Sequence, residues 1–252
     1  MTSPRPSSAQ LAAVRSAEVG TLAGGAHERR LPVEEALAPL LPEGSIRRGT
    51  AVAVSGHGAM TLAVALTAEA SRRGSWVAAI GMADLGVAAL AERGVDLERW
   101  ALIDLPGATR SRSLMADAEG AVVDGFDLVM LGSAARVGGA TARRLLARMR
   151  EHGASLVCAI GGASTDIVAG LQPEVRLMIT QTRWTGIDNG HGRLLARQAE
   201  VTIGGRGAAS RPRRMPVWLP SEDGRVTCAE LARTSASTLD LGLQDLRERR
   251  AG

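Results

Sequence analysis

Short apolar runs of strand length alternate with helix-length stretches through the middle of the sequence. The runs are Ala51–Ser55, Trp76–Gly81, Trp100–Leu105, Asp127–Gly132 and Ser155–Ile160. The stretches between them are Thr61–Arg73, Leu85–Arg93, Ser111–Val123 and Ala140–His152. Because strands that are apolar throughout are buried on both faces, the pattern predicts an α/β fold with a mostly parallel, twisted sheet flanked by helices and joined by right-handed crossovers.

The pattern changes after Gly170, where strand-like segments follow one another with no helix between them. These segments are Val175–Thr180, Arg193–Thr202 and Pro216–Leu219, and they predict an antiparallel C-terminal extension on the sheet's edge. We therefore expect a core over residues 31–220. Residues 1–30 hold an Ala-rich helix and a Gly-containing linker, which could serve as an oligomerisation arm. Residues 221–252 form a tail whose segment Ser237–Arg249 predicts an amphipathic helix with Leu239, Leu243 and Leu246 on one face.

The basic residues of this chain are all arginine, and the sequence contains neither lysine nor tyrosine. This composition excludes Schiff-base chemistry, a lysine base and a lysine on bound phosphates. Cys158 and Cys228 are too few for a disulfide framework and lack metal-ligand spacing, although Cys228 at the start of a predicted helix could have an acidified thiol. No apolar run approaches the roughly 18 residues of a membrane span, and we see no secretory signal, so we expect a cytoplasmic protein.

The turn after the first strand has the position of a phosphate-binding loop but lacks the lysine that would contact the phosphates. In open α/β sheets the ligand site lies at the carboxyl ends of the strands. Here that turn and the start of the next helix contain Ser55, Gly56, His57, Gly58 and Thr61, and no lysine. Two interpretations stay open: a residual anion site at a helix N-terminus, or a tight connection with glycines for steric reasons, which we favour.

A second strand lacks the residue that would hold a metal ion. The apolar run that follows Asp127 ends at Gly132, where an Mg²⁺-binding aspartate would be needed, and no water-activating glutamate follows Ile80. We therefore predict no catalytic residue, no cofactor and no metal, and hence no enzyme activity.

The order of these segments resembles RecA across roughly residues 31 to 220. Ile46–Leu66 is similar to the first core strand, phosphate loop and helix of RecA, Phe126–Ser133 to the Walker B strand, and Leu194–Leu219 to the late antiparallel strands. The resemblance implies a RecA-like core with a degenerate P-loop. In place of the two DNA-binding loops of RecA we expect short turns near Val137 and Gly161.

A RecA relative without Walker motifs resembles the ImuA-type, SulA-related accessory proteins of bacterial mutagenesis in their actinobacterial form. The similarity lies in Val77–Leu97 and in the segment from Arg211 to Pro220. It implies a non-catalytic adaptor in SOS-induced translesion synthesis, placed at the nucleoid when induced. The implied partners are a Y-family-polymerase-like adaptor and an error-prone C-family DNA polymerase, with RecA, DNA or further copies of the chain as additional contacts.

Arginines are concentrated in one part of the sequence. Seven of them, against Asp188 and Glu200, lie within 32 residues: Arg183, Arg193, Arg197, Arg206, Arg211, Arg213 and Arg214. They could contact DNA phosphates, meet an acidic partner, or form a solvated face. Trp218 is a candidate anchor among them. A SulA-like inhibitor that binds a tubulin-like protein is the alternative function, and an enzyme with a rebuilt site is the third.

Overall fold

The computed structural model describes residues 30–82, 84–103, 125–133, 135, 137, 139–161, 170–188 and 191–228. Its strands are β1 (Arg30–Pro32), β2 (Ser45–Arg47), β3 (Ala51–Ser55), β4 (Val77–Ile80), β5 (Trp100–Ile103), β6 (Leu128–Leu131), β7 (Ser155–Ile160), β8 (Val175–Trp184), β9 (Ile187–Asp188), β10 (His191–Gly192), β11 (Arg197–Gly205), β12 (Arg213–Trp218) and β13 (Thr227–Cys228). The α-helices are α1 (Ala59–Arg72), α2 (Val87–Glu92) and α3 (Gly139–His152).

Nine of these strands form one sheet in the order β13-β12-β11-β8-β3-β7-β6-β4-β5. The pairs from β8 to β5 are parallel, and β8, β11, β12 and β13 pair antiparallel. The predicted fold class is confirmed, including the antiparallel extension at one end of the sheet. The parallel strands are fully apolar because the sheet is covered on both faces there.

Two apolar clusters lie on opposite faces of the sheet. Helix α1 packs on one face, where Leu62 and Leu66 are fully buried with Val54 of β3. Helix α3 packs on the other face through Leu145 and Met149. The Ala-rich composition of α1 lets ten of its 14 residues be buried, because alanine leaves little side chain to keep in water.

The first helical segment of the core follows β1. It is a 3-10 helix, Glu35–Leu40, with Pro39 inside it and with Leu37 and Leu40 buried. The Ala-rich helix predicted near the start of the chain and the predicted helices Ser111–Val123 and Ser237–Arg249 lie outside the described residues, as do several residues of the turns expected near Val137 and Gly161. None of the helices that the structure describes is long and apolar enough to span a membrane.

The antiparallel extension is covered on one face only. On the side of α1, Leu177, Val201 and Val217 are buried. On the side of α3, the alternate residues Arg176 and Met178 of β8 are exposed. Half-covered sheets of this kind alternate between buried and exposed side chains, which explains why the sequence changes its pattern after Gly170.

Candidate functional site

The loop that joins β3 to α1 is a tight turn of three residues, Gly56, His57 and Gly58. Both glycines have positive φ values, 98° and 95°, which residues with a side chain rarely adopt. The Gly56 N–H donates to the carbonyl of Ile160 (3.3 Å), and the Ala59 N–H donates to that of Gly56 (3.1 Å). Two amides that could face an anion are therefore already bonded inside the protein.

A Cβ atom at either glycine of this loop would meet a neighbouring group, which is backbone at Gly56 and the end of a flexible side chain at Gly58. A Cβ atom on Gly56 would collide with the carbonyl of Ile179 in β8, and one on Gly58 would collide with the guanidinium of Arg197. The geometry supports the interpretation of the loop as a sterically required connection. His57 is exposed, whereas Ser55 at the end of β3 and Thr61 in the first turn of α1 are half-buried.

Arg197 places a cation directly over the degenerate loop. It is the first residue of β11, and its Nε donates to the carbonyl of Leu219 at 2.5 Å. Its guanidinium carbon lies 5.2 Å from the centre of the Trp184 ring. Burial lowers the pKa of this arginine. The positive charge over the loop thus comes from β11, which is far from the loop in the sequence, and it is held by a carbonyl and an aromatic ring.

The strand end that would carry a metal-binding carboxylate is closed by backbone packing. Gly132 follows β6, and its N–H donates to the carbonyl of Ile80 at 2.9 Å. A Cβ atom there would collide with the carbonyl of Gly81 and come within 2.7 Å of Met82 Cγ. The glycine at this position is a packing requirement of the neighbouring strands.

The acidic residue that directly precedes β6 has a structural role. Asp127 accepts from Arg48 Nη1 at 2.8 Å and from the backbone N–H of Trp76 at 3.0 Å, so it joins the starts of β3, β4 and β6. Asp84 is exposed in the turn before α2, whose N-cap is Gly86. The described residues hold no group of three His, Cys, Asp or Glu side chains that could bind a metal ion.

A wide groove of about 1660 Å³ runs along α1 between the first 3-10 helix and α2. Thr61 lines one end of it, and an ion-pair network lies along its wall, where Arg72 Nη2 contacts Glu34 (2.8 Å) and Glu69 (2.9 Å). Burial alone would raise the pKa of Glu69, but hydrogen bonds from Arg73 and Arg72 outweigh it and lower the pKa. These ion pairs satisfy the charges of Glu34, Glu69, Arg72 and Arg73.

The seven arginines of the sequence cluster do not form one surface. Arg183 and Arg214 are exposed on strands β8 and β12. Arg197 lies over the loop, and Arg213 Nη2 donates to the carbonyl of Pro39 at 2.8 Å, which ties β12 to the first 3-10 helix.

The remaining members of the cluster lie in turns or near the hairpin tip. Arg206 donates to the side-chain and main-chain oxygens of Gln172, Arg211 is exposed in a turn, and Arg193 is exposed beside β10. Trp218 is half-buried at the end of β12, opposite Gln198. Leu239, Leu243 and Leu246 lie outside the described residues.

A hairpin arm, which we define as residues 182–188 and 191–197, is present in the structure but is not predicted by the sequence pattern. The segment Arg193–Thr202 is predicted as one strand, but β11 begins only at Arg197, and the preceding residues belong to the arm together with the short strands β9 and β10. The Asn189-Gly190 pair in the sequence is a strong hairpin signal that could have indicated it.

Four large apolar side chains of the arm are exposed, namely Trp184 (43 %), Ile187 (52 %), Leu194 (46 %) and Leu195 (47 %).

The two cysteines are buried. Cys158 lies in the middle of β7, as its apolar neighbours in the sequence predict. The prediction that Cys228 begins a helix is wrong, because it pairs with Val217 as part of β13 and is 1 % exposed.

Comparison with known proteins places this chain in a family. A protein of Mycobacterium tuberculosis named as the uncharacterized protein Rv3395c is 35% identical over 136 residues, which are 52% of this chain and 63% of that protein. The crystal structure of the flagellar accessory protein FlaH from Methanocaldococcus jannaschii superimposes with a TM-score of 0.57 at 10% identity and covers 79% of this chain and 98% of that one. That likeness shows a RecA-like fold. The chain spans less than two thirds of the length of its mycobacterial relative.

The family described as MT3502 N-terminal domain matches residues 39–164, from the first 3-10 helix to just beyond β7. This match covers half of the chain, and it includes the degenerate loop and Gly132 but not the hairpin arm. The chain therefore belongs to the MT3502 N-terminal domain family.

Proposed function

We propose that this protein is a non-catalytic RecA-like adaptor in SOS-induced translesion synthesis. In this role it bridges a Y-family-polymerase-like partner and an error-prone C-family polymerase, with RecA or DNA as further contacts. The observation that carries the proposal is the closed loop between β3 and α1, because the guanidinium of Arg197 lies against Gly58 and is held there by the carbonyl of Leu219 and the ring of Trp184. A RecA-like fold that keeps its core but fills its nucleotide site is better suited to binding than to hydrolysis.

The loss of nucleotide chemistry is supported at three separate places. The sequence offers no lysine for the phosphates. The amides of Gly56 and Ala59 are bonded within the protein. The end of β6 has no space for a metal-binding carboxylate at Gly132. Each loss alone weakens nucleotide binding, and together they remove the groups on which phosphoryl transfer depends.

The first test is calorimetry with ATP and Mg²⁺. We expect no binding by the wild-type protein, and none by Arg197→Ala, because clearing the loop restores neither the lysine nor the carboxylate. A dissociation constant below about 100 μM, roughly 5.5 kcal/mol of binding free energy, would contradict the proposal. Binding by Arg197→Ala alone would contradict it too, since the arginine would then regulate a working site.

The mutagenic role rests on the resemblance to ImuA-type proteins and is tested in cells. Deletion of the gene should lower the frequency of damage-induced mutation, and the protein should co-purify with the Y-family-polymerase-like adaptor after damage. If overexpression without damage instead produces filamentous cells and mutation frequency is unchanged by deletion, the protein is a division inhibitor of the SulA type.

A further inference from the structure

The hairpin arm projects from the carboxyl edge of the parallel sheet. Strand β8 runs parallel to β3 as far as Met178, which lies opposite Ser55. It then continues beyond the end of β3 with β11 as its partner, until Trp184 lies opposite Arg197. Beyond this pair the chain forms a ribbon that β9 and β10 close. The arm therefore rises beside the degenerate loop, at the edge where proteins of this architecture bind their ligands.

The arm exposes more apolar surface than its own stability requires. Of the eight large apolar side chains that are exposed in the described part of the chain, four lie between Trp184 and Leu195. A two-stranded hairpin is only marginally stable in water, so apolar side chains left in solvent contribute little to it. Concentrated exposed apolar groups on a projecting element are typical of a surface that a partner covers.

The charge of the arm defines the chemistry of that partner. The sequence from 182 to 197 carries Arg183, Arg193 and Arg197 against the one acid Asp188. Arg197 is held at the base of the arm, whereas Arg183 and Arg193 are exposed and are the sequence neighbours of Trp184 and Leu194. Arginine next to tryptophan and large aliphatic side chains is the composition of protein interface centres, and its charge favours acidic groups opposite.

The same residues disfavour a nucleic acid as the occupant. Single strands are held by bases that stack on aromatic rings. The arm has a single tryptophan, Trp184, and no phenylalanine or tyrosine, and the guanidinium carbon of Arg197 already lies 5.2 Å from the centre of the Trp184 ring. The other exposed apolar residues, Ile187, Leu194 and Leu195, are aliphatic and offer no flat surface to a base.

We propose that the arm is a docking surface for a partner protein segment that carries both carboxylates and large apolar side chains. This inference rests on the proposed adaptor function and assigns its contact to Trp184, Ile187, Leu194 and Leu195, flanked by Arg183 and Arg193. The two proposals fail separately. ATP binding would overturn the adaptor function, whereas a partner surface that does not involve the arm would overturn only the docking surface.

The experiment selects phage-displayed random peptides on the full-length protein and compares three variants. The apolar variant is Ile187→Ser, Leu194→Ser and Leu195→Ser, and the charge variant is Arg183→Ser and Arg193→Ser. The matched control is Val87→Ser, Leu97→Ser and Leu102→Ser, which removes three apolar side chains that are also exposed, at 50 %, 38 % and 47 %, but lie away from the arm.

We expect the selected peptides to be enriched in Asp or Glu together with Leu, Ile or Phe. They should bind both arm variants about tenfold more weakly than wild type, a difference of roughly 1.4 kcal/mol, and bind the control variant normally. Because the charge variant keeps every apolar side chain, its result also stands if the apolar variant folds poorly.

Four outcomes would overturn the proposal. The selected peptides could bind the arm variants as well as wild type, or they could lack acidic residues. In a parallel anisotropy titration, a single-stranded oligothymidylate could bind wild type and lose affinity in both arm variants, which would make the arm a nucleic-acid surface. Finally, sedimentation could show wild-type self-association that both arm variants abolish, which would make a second copy the occupant.

Discussion

Gly132 and Gly161 follow neighbouring strands of the parallel sheet, β6 and β7, yet they have different surroundings. A side chain on Gly132 would be forced against the backbone of Gly81 and the side chain of Met82. A Cβ atom on Gly161 would meet no atom within 4 Å. At the scale of single residues, the end of β6 is therefore closed by its neighbours, while the end of β7 is open.

We predict that Gly132→Ala destabilises the protein by about 1–3 kcal/mol, the cost of forcing a methyl group into a packed site. The matched variant Gly161→Ala should leave the free energy of unfolding nearly unchanged, because its methyl group enters open space. Urea denaturation of both variants measures the difference. Equal stability of Gly132→Ala and wild type would show that the end of β6 can relax to admit a side chain.

At the scale of elements, one arginine joins the arm to the degenerate loop. Arg197, the first residue of β11, donates to the carbonyl of Leu219 after β12, stacks on Trp184 of β8 and lies against Gly58 before α1. It therefore links these three strands to the start of α1. A β-bulge between Glu200 and Val201 shifts the pairing of β8 by one residue. Trp184 thereby lies opposite Arg197 and shares its face, which allows the stacking.

We predict that Arg197→Ala loosens the arm while the core of the sheet stays intact. The lost hydrogen bond and cation–π contact should cost about 1–2 kcal/mol. In hydrogen exchange, the Thr185 N–H, which donates to Ala196, and the Leu195 N–H, which donates to Thr185, should lose protection first. Arg211→Ala, which removes an exposed arginine from a turn, is the control and should exchange like wild type. Unchanged protection in Arg197→Ala would mean that the arm is held by other contacts.

At the scale of the whole molecule, the missing residue types shape how stability depends on pH. The chain contains neither lysine nor tyrosine, the side chains that ordinarily titrate near pH 10. Burial raises the pKa of the Cys158 thiol to about 12. In the unfolded chain a thiol ionises at about 8.5. Above that pH the unfolded state therefore loses a proton that the folded state keeps, and this favours unfolding.

We predict that the free energy of unfolding is insensitive to this thiol at neutral pH and falls between about pH 9 and 12. Cys158→Ala should be less stable than wild type at pH 7 but should show a shallower decline over the alkaline range. Denaturant titrations at a series of pH values measure both slopes. Identical slopes would mean that Cys158 ionises in the folded protein as readily as in the unfolded one.

The sequence by itself determines the layers of this fold and the chemistry it lacks. Uniformly apolar strands separated by helices bury all their side chains only in a parallel sheet that is covered on both faces. The alternating strands after Val175 bury their apolar side chains in a sheet that is covered on one face. The absence of lysine and the glycine at position 132 are also properties of the sequence alone. These properties follow from local composition and periodicity, which need no knowledge of distant contacts.

Only the tertiary structure decides on which face of the sheet each arginine lies and which groups it contacts. Alternation from the buried Leu177 and Ile179 predicts Arg183 on the face of α1 and Trp184 on the other, and the bulge in β8 reverses this. A shift of one residue exchanges the two faces of a strand, so a single bulge separates Arg183 from Arg197. Likewise, the contact between Arg197 and Gly58 joins residues far apart in the chain. It depends on the strand order around β3, which sequence periodicity does not contain.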